Sequence, residues 1–249
     1  MFKLKKFVNN ALEEMFGYSI SKSYDLNLDR RLSALEASII KRVRDRTMTN
    51  ANSIVNLISA TNYISKFGVE GAFVECGVWR GGSAMAFCLA SMNLGMNDRD
   101  VYLMDTFEGF TNVSERDYQL SDRRSAKELF DVDPNYICSA SLEDVKIGIA
   151  ETQYPSERVH YLVGDIVETS LNCLPKEIAV LRLDTDYYES TLWELKHLFP
   201  RVSKNGIIII DDYDHWSGAR EACDEYFSSN DQNMFIMHME YGRLIFKNG

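Results

Sequence analysis

The sequence predicts an α/β protein built on a mostly parallel sheet, and three observations carry that prediction. Short β-branched runs, Ile178–Leu183 and Ile207–Ile210 above all, are bounded by turn signals, as buried parallel strands are. A helical pattern over Glu189–Phe199 separates those two runs. The same strand–helix alternation runs from Gly71 onward, the order expected of a sheet with crossover helices. At 249 residues, 45% hydrophobic and 26% charged, the chain can bury a sizeable core in one large domain.

Taken in order, residues 1–45 lean helical, with apolar positions at Phe2, Phe7, Leu12, Met15 and Phe16, then Leu32, Leu35, Ile39 and Ile40. They read as an N-terminal helical extension, a lid or an oligomer contact, and so favour a homo-oligomer. Thr49 or Asn50 is placed to cap a helix carrying Ile54, Leu57, Ile58 and Tyr63, which Lys66-Phe67-Gly68 closes. Ala72–Cys76 reads as a strand, Gly77–Ser83 as a glycine-rich turn, and Ala84–Leu94 as a helix ending at Gly95. Val101–Asp105 is the next strand. Residues 108–140 are acid-rich and too long for a simple connector, which predicts a helix-bearing insertion or a mobile lid. Ser141–Ala150 begins Ser-Leu-Glu-Asp, a helix N-terminal signature, and Val159–Val163 is a strand leading to Gly164-Asp165. Lys204-Asn205-Gly206 reads as a turn and Gly218–Phe227 as a helix. Met234–Met239 and Leu244–Lys247 form a terminal hairpin. The organisation expected is thus residues 1–45 as the extension and 46–249 as one domain.

Composition narrows the function. A net charge of −10 and a pI near 5.0 argue against nucleic acid as the main partner, because phosphate binding needs a basic face. The five cysteines are scattered and never form a CxxC pair, so they read as reduced thiols rather than a disulfide frame or a zinc site. Acids interrupt the basic start before any signal-peptide core, and no apolar run approaches a membrane span, so the expected location is the cytoplasm.

The chemistry collects at the strand ends. Asp184 and Asp186 follow the first apolar run, Asp211 and Asp212 the second. A right-handed crossover sets both pairs at the carboxyl edge of the sheet, where open α/β sheets bind ligands. Carboxylates crowded there repel one another unless a cation sits among them or some are protonated. Oxygen-only ligands suit Mg²⁺ or another hard divalent cation. A strand-end Asp is also a common helix cap, and for any single acid that plainer reading has about even weight.

A second site is expected at Phe73–Ser83, FVECGVWRGGS. Gly77 allows backbone approach to a ligand, and Gly81-Gly82 open the next helix. Trp79 stands where the dinucleotide fingerprint needs glycine, which counts against a pyrophosphate and hence against an NAD-linked oxidoreductase. Glu75 suits a cationic ligand, and Asp105 ends the next strand, where an acid commonly accepts from ribose hydroxyls. S-adenosylmethionine, with a ribose, an ammonium group and a sulfonium, fits all of these.

VECGVWRGGS, MDTFEGF, LRLDTDYYEST and IIIIDDYDHWSGAR, in that order, resemble the motifs of the macrocin-type sugar O-methyltransferases of antibiotic biosynthesis. The resemblance covers roughly residues 44–230. It implies a class I methyltransferase, Rossmann-like fold with a seven-stranded sheet, magnesium dependence, and methylation of a hydroxyl of a sugar or glycosylated small molecule. By position, it implies Asp184, Asp211 and Asp212 as metal ligands and Asp186 as the base. It sets Glu75, Trp79, Ser83 and Asp105 on the cofactor motifs and Asp165 where the adenine is met. Arg46-Thr47-Met48 resembles the segment that closes over the methionine moiety. A catechol-like phenol is the alternative acceptor, and a non-catalytic adenosine-binding subunit the alternative role. Among the remaining residues, His215 is a candidate to reach the acceptor, and Tyr187, Tyr188 and Trp216 to stack on a sugar face. Arg182 reads as a structural ion pair, because a lone buried charge is costly.

Overall fold

A computed structural model describes residues 32–110, 113–133, 137–229, 234–239 and 242–248. Residues 38–249 form one compact unit, and residues 1–37 are a separate one of which only 32–37 are described. The expected apolar positions from Phe2 to Phe16 lie outside the described residues, as does most of the expected extension.

Seven helices are described: α1 Ala34–Val43, α2 Ala51–Phe67, α3 Gly82–Asn93, α4 Ala126–Val132, α5 Leu142–Glu151, α6 Tyr188–His197 and α7 Ser217–Ser229. The strands are β1 Ala72–Cys76, β2 Val101–Asp105, β3 Val159–Val163, β4 Ile178–Leu183, β5 Val202–Ile210, β6 Met234–His238 and β7 Arg243–Lys247. They pair as one sheet in the order β3-β2-β1-β4-β5-β7-β6. The first five strands in that order run parallel, and β7 and β6 are antiparallel additions. This is the mostly parallel, seven-stranded α/β fold with a C-terminal antiparallel hairpin that the sequence predicts.

Why these residues form these elements follows from burial. Every residue of β1 and β4 is buried, which calls for runs without a polar face. Each fully buried Val, Leu, Ile or Phe contributes about 1.5–3 kcal/mol of transfer free energy. Phe73 of β1 stacks on Phe87 of α3 with ring centroids 4.2 Å apart, which presses α3 flat on the sheet. Asn50, rather than Thr49, caps α2, its side chain accepting from the Ser53 N–H at 2.9 Å. Ser141 caps α5 by accepting from the Asp144 N–H, and α3 ends in a left-handed Gly95.

One local reading changes. Lys204-Asn205-Gly206 is no separate turn but part of β5, which runs unbroken from Val202. Asn205 takes a left-handed φ of 62°, and the register against β4 slips between Ile178 and Val180. A bulge on one strand absorbs the turn chemistry without ending the pairing.

The register decides where the site lies. Cys76, Met104, Leu183 and Ile210 are aligned across β1, β2, β4 and β5. Gly77, Asp105, Asp184 and Asp211 follow them directly, so all four stand at one carboxyl edge. Strand order reverses between β1 and β4, and the loops leaving those strands diverge into the crevice where open α/β sheets hold ligands.

The 108–140 segment carries α4, held by a capping box between Ser125 and Glu128. Tyr118 bridges Ser125, and Gln119 bridges Trp216. Asp117, 1% exposed, accepts from the N–H and Oγ of Ser114 and from the Tyr188 N–H, so it ties this segment to the start of α6. Among the described residues, no helix is long and apolar enough to cross a membrane.

Candidate active site

The glycine turn after β1 is shaped by Asp105. Its Oδ2 accepts from the Val78 and Trp79 N–H groups at 2.6 and 3.1 Å, and its Oδ1 accepts from the Phe107 N–H at 2.7 Å. Those bonds hold Trp79 in a left-handed conformation, φ 46°. Gly77 is required for space as well as for its φ of 80°, since a Cβ there would overlap the Asp184 carbonyl. Gly82 opens α3 for a similar reason. A Cβ would strike the Arg46 carbonyl and Thr47, which cross the helix start.

The crossing segment is fixed by charge. Arg46 donates from Nη1 to the Asp144 and Arg80 carbonyl oxygens, and Arg80 Nε donates to Asp144 Oδ2 at 2.9 Å. Thr47 is half-buried beside the turn, and Met48, next in the chain, is exposed. Ser83 lies buried in the first turn of α3. Asp165 caps a 3₁₀ turn after β3, its Oδ1 accepting from the Val167 N–H. The expected cofactor residues Thr47, Met48, Glu75, Gly77, Trp79, Ser83, Asp105 and Asp165 are therefore distributed over the ends of β1, β2 and β3 and the segment before α2.

Beneath the turn sits Arg182, 3% exposed and in the middle of the sheet. Its Nη1 donates to Glu75 Oε1 at 2.8 Å and to Asp184 Oδ2 at 2.6 Å. Its Nη2 donates to Thr49 Oγ1 at 2.7 Å and pairs with Asp211. The Thr49 hydroxyl in turn donates to Asp211 Oδ2 at 3.2 Å. The expected Arg182–Asp184 pair is thus one arm of a four-way hub. Burial lifts the Glu75 carboxyl to about 7 against the opposing pull of Arg182, and its Oε2 has no hydrogen-bond partner among the described residues.

The acid cluster occupies the next layer outward. Asp184, Asp186 and Asp212 each present a carboxylate oxygen within 4.8 Å of the others. Asp211 stands beside Asp184 but outside that trio, turned toward Arg182 and Thr49. Burial raises the carboxyl groups of Asp184, Asp186 and Asp212 above the ordinary carboxylate range, and mutual repulsion adds to it. Asp186 is held at a left-handed φ of 66°. Three half-buried oxygen donors that repel one another fit a hard divalent cation, which would lower every one of those pKa values.

Around the cluster, Tyr187 is buried against Phe110, Phe130 and Trp216, with ring centroids 4.6, 6.4 and 5.3 Å away. Tyr188 is buried in the core beneath, its hydroxyl donating to Glu225. His215 lies 3.4 Å from Gln119 Nε2, on the edge of the insertion. Sequence reasoning missed four residues here. Thr49 reads in the sequence only as a possible helix cap, Cys138 and Glu194 carry no motif, and Asp117 is one acid among many in the 108–140 segment. Cys138 lies close enough to Asp184 and Asp212 that burial and their charge push its thiol up to about 12.

A cluster of acids beside a glycine turn at the switch point of a seven-stranded sheet is the site of a Rossmann-like α/β domain, here of the class I methyltransferase type. The chain belongs to the macrocin-O-methyltransferase (TylF) family, which it matches over residues 13–247. It is 31% identical over 205 residues to a demethyldecarbamoylnovobiocin O-methyltransferase of Streptomyces niveus, covering 80% of this chain and 76% of the relative. It is 32% identical over 167 residues to an 8-demethyl-8-(2,3-dimethoxy-alpha-L-rhamnosyl)-tetracenomycin-C 4'-O-methyltransferase of Streptomyces olivaceus, covering 67% of this chain and 62% of the relative. In fold it is similar to the solved structure of the O-methyltransferase NovP, with a TM-score of 0.71 at 24% identity, over 91% of this chain and all of that one.

Proposed function

We propose that the chain transfers a methyl group from S-adenosylmethionine to a hydroxyl of a sugar or glycosylated small molecule, with a divalent cation, Mg²⁺ or its like, in the acid cluster. The observation that carries this reading is the contact between the two turns. The glycine turn that suits the donor and the carboxylates that suit acceptor activation meet at Gly77 and Asp184. The family membership and the rhamnosyl acceptor named for one relative support the choice of a glycoside.

S-adenosylmethionine supplies an electrophilic methyl group when bound. Glu75, with its unpaired Oε2, offers an acceptor to a cationic donor, and Asp105 keeps the turn open by holding its N–H groups. Thr47 and Met48 would cover the donor's methionine end, Trp79 and Ser83 line the turn, and Asp165 would meet its adenine. A divalent cation makes a hydroxyl it binds more acidic. Asp184 and Asp212, with Asp211 beside them, would hold that cation, Arg182 fixing Asp184 and Asp211 from behind. Asp186, on the strained outer turn, takes the hydroxyl proton. Alignment of acceptor and methyl group is the chief contribution of the protein, worth about 7–11 kcal/mol in favourable intramolecular cases.

The test is a titration followed by a transfer assay. S-adenosylhomocysteine should bind and NAD should not. Radiolabelled methyl should pass from S-adenosylmethionine to glycosides, rhamnosides among them, and chelation should abolish the transfer. Binding of NAD in place of S-adenosylhomocysteine, or transfer undiminished by chelator, would overturn the donor or the cation respectively.

A further inference from the structure

The donor turn after β1 and the acid turn after β4 are stapled together. The Asp184 N–H donates to the Cys76 carbonyl at 2.9 Å, and Gly77 packs on the Asp184 carbonyl. Below both turns lies Glu194, which α6 sends into the core with no exposed surface. The Thr185 hydroxyl donates to Glu194 Oε1 at 2.9 Å, and the Cys76 thiol abuts the same carboxyl. Thr185 stands between Asp184 and Asp186, and Cys76 immediately precedes Gly77.

No step of the proposed reaction uses this carboxyl, and its surroundings do not welcome it. Cys76, which abuts it, belongs to the apolar core with Leu181, Leu183, Leu195 and Ile210, and burial lifts Glu194 to about 8. An apolar side chain would fill the position without a desolvation cost. What the carboxyl adds is a bond to the middle of a strained turn. Asp186, at φ 66°, takes a left-handed conformation that disfavours most side chains, so bonds to its neighbours help to hold it. The other ties of this turn, among them the Ala219 N–H to the Asp186 carbonyl, the Tyr187 N–H and Ser190 Oγ to the Thr185 carbonyl, and Ser190 Oγ to the Tyr187 carbonyl, all end on main-chain acceptors and leave the Thr185 side chain free to turn.

We propose that Glu194 is a positioning residue, which through Thr185 and Cys76 fixes the acid turn against the donor turn and so sets the line from acceptor oxygen to methyl group. This rests on the methyltransferase reading above. Transfer depends steeply on that line, since a displacement of ~1 Å can cost ~10²-fold in rate. Glu194 touches no reactant, so its loss should appear in kcat and not in donor or cation affinity.

Four variants of the full chain test this: E194L, E194Q, T185V and T185S. The readouts are turnover with methyl rhamnoside, S-adenosylhomocysteine and Mn²⁺ affinity by titration, and amide exchange across residues 184–187. E194L and T185V should lose ~10–100-fold in kcat and exchange the Asp184 and Tyr187 amides ~10-fold faster, with both affinities within about twofold. E194Q and T185S, which keep the Thr185 hydrogen bond, should stay within about threefold of the parent. The double variant E194L/T185V should be no slower than the worse single one, because one bond is removed twice. Wild-type kcat and exchange in E194L or T185V would overturn the role of Glu194. If E194L does not fold, T185V decides alone, since it deletes one hydroxyl at a half-buried position. A parent chain that binds neither S-adenosylhomocysteine nor Mn²⁺ overturns the functional reading and this role with it.

Discussion

Arg182, in β4, donates from Nη1 to Oδ2 of Asp184, two residues on, across 2.6 Å. The same nitrogen reaches Glu75 in β1, so one guanidinium joins the donor turn to the acid turn inside the sheet. A buried cation survives there only because three carboxylates and a hydroxyl surround it. Removing it leaves those carboxylates buried and unpaired, a situation that typically costs about 3–5 kcal/mol. R182M should therefore lose about that much stability at neutral pH in urea denaturation. The deficit should shrink toward pH 5, where the raised Glu75 and Asp184 groups take up protons. R182K should fall between, since an ammonium cannot match the planar fork. An R182M deficit that stays constant with pH would mean the arginine acts by packing alone.

Metal and base should separate in their kinetics. D184N and D212N should raise the Mg²⁺ concentration needed for half-maximal rate, and excess metal should restore part of the activity. D186N should keep that requirement and lower kcat by roughly 10²–10⁴, the range for a lost general base. The loss should be equal in kcat and kcat/KM, as for an interaction made only in the transition state. Rescue of D186N by added metal would instead make Asp184, Asp186 and Asp212, the three whose oxygens already converge, the ligand set. Asp211 would then serve Arg182.

How much of this was legible in the sequence depends on range. Strands such as Ala72–Cys76 and Val101–Asp105 declared themselves because full burial demands an unbroken apolar run. Asp184 and Asp211 declared themselves because a strand's carboxyl end is a fixed place in an α/β sheet. The β5 bulge did not, because Lys-Asn-Gly carries the same turn signature whether the chain reverses or merely kinks. The pairing roles of Thr49, read only as a possible helix cap, and of Glu194 were illegible for another reason. Their meaning comes from partners 133 and 9 residues away, Arg182 and Thr185, through tertiary contacts that no local pattern encodes. Asp117 looked like one more acid in an acidic segment, yet it is among the most buried polar residues. Its value lies in the Tyr188 N–H it receives.

G77A offers a sharp steric test of the turn. The substitution brings a Cβ into the Asp184 carbonyl and forces a φ of 80° on an L-residue. Backbone must move, and the two turns move apart together. G77A should weaken S-adenosylhomocysteine binding by at least tenfold and also raise the Mg²⁺ requirement, although Gly77 has no side chain to contact either. By contrast G95A, at an open left-handed position with nothing within 4 Å, should cost only about 1 kcal/mol of stability and leave both affinities alone. Unchanged donor affinity in G77A would show that the turns are not coupled.

The pH dependence of stability should carry the signature of Glu194. Burial raises its carboxyl from 4.5 to about 8 in the folded chain. In the unfolded chain it titrates near 4.5, so between those values the folded state holds a proton that the unfolded state has lost. Unfolding then releases a proton, and stability falls as pH rises across that window, at about 1.4 kcal/mol per pH unit for one such group. Below the unfolded value both states are protonated, and above the folded value both are ionised, so the slope vanishes at each end. Glu75 adds a similar slope that ends near its own value of about 7. E194Q removes the Glu194 contribution and no other. Urea denaturation of parent and E194Q at half-unit steps from pH 5 to 9 should give two curves that diverge by about 1.4 kcal/mol per unit up to about pH 8 and run parallel beyond it. Curves that stay parallel throughout would mean that Glu194 is solvated or paired in solution and titrates normally.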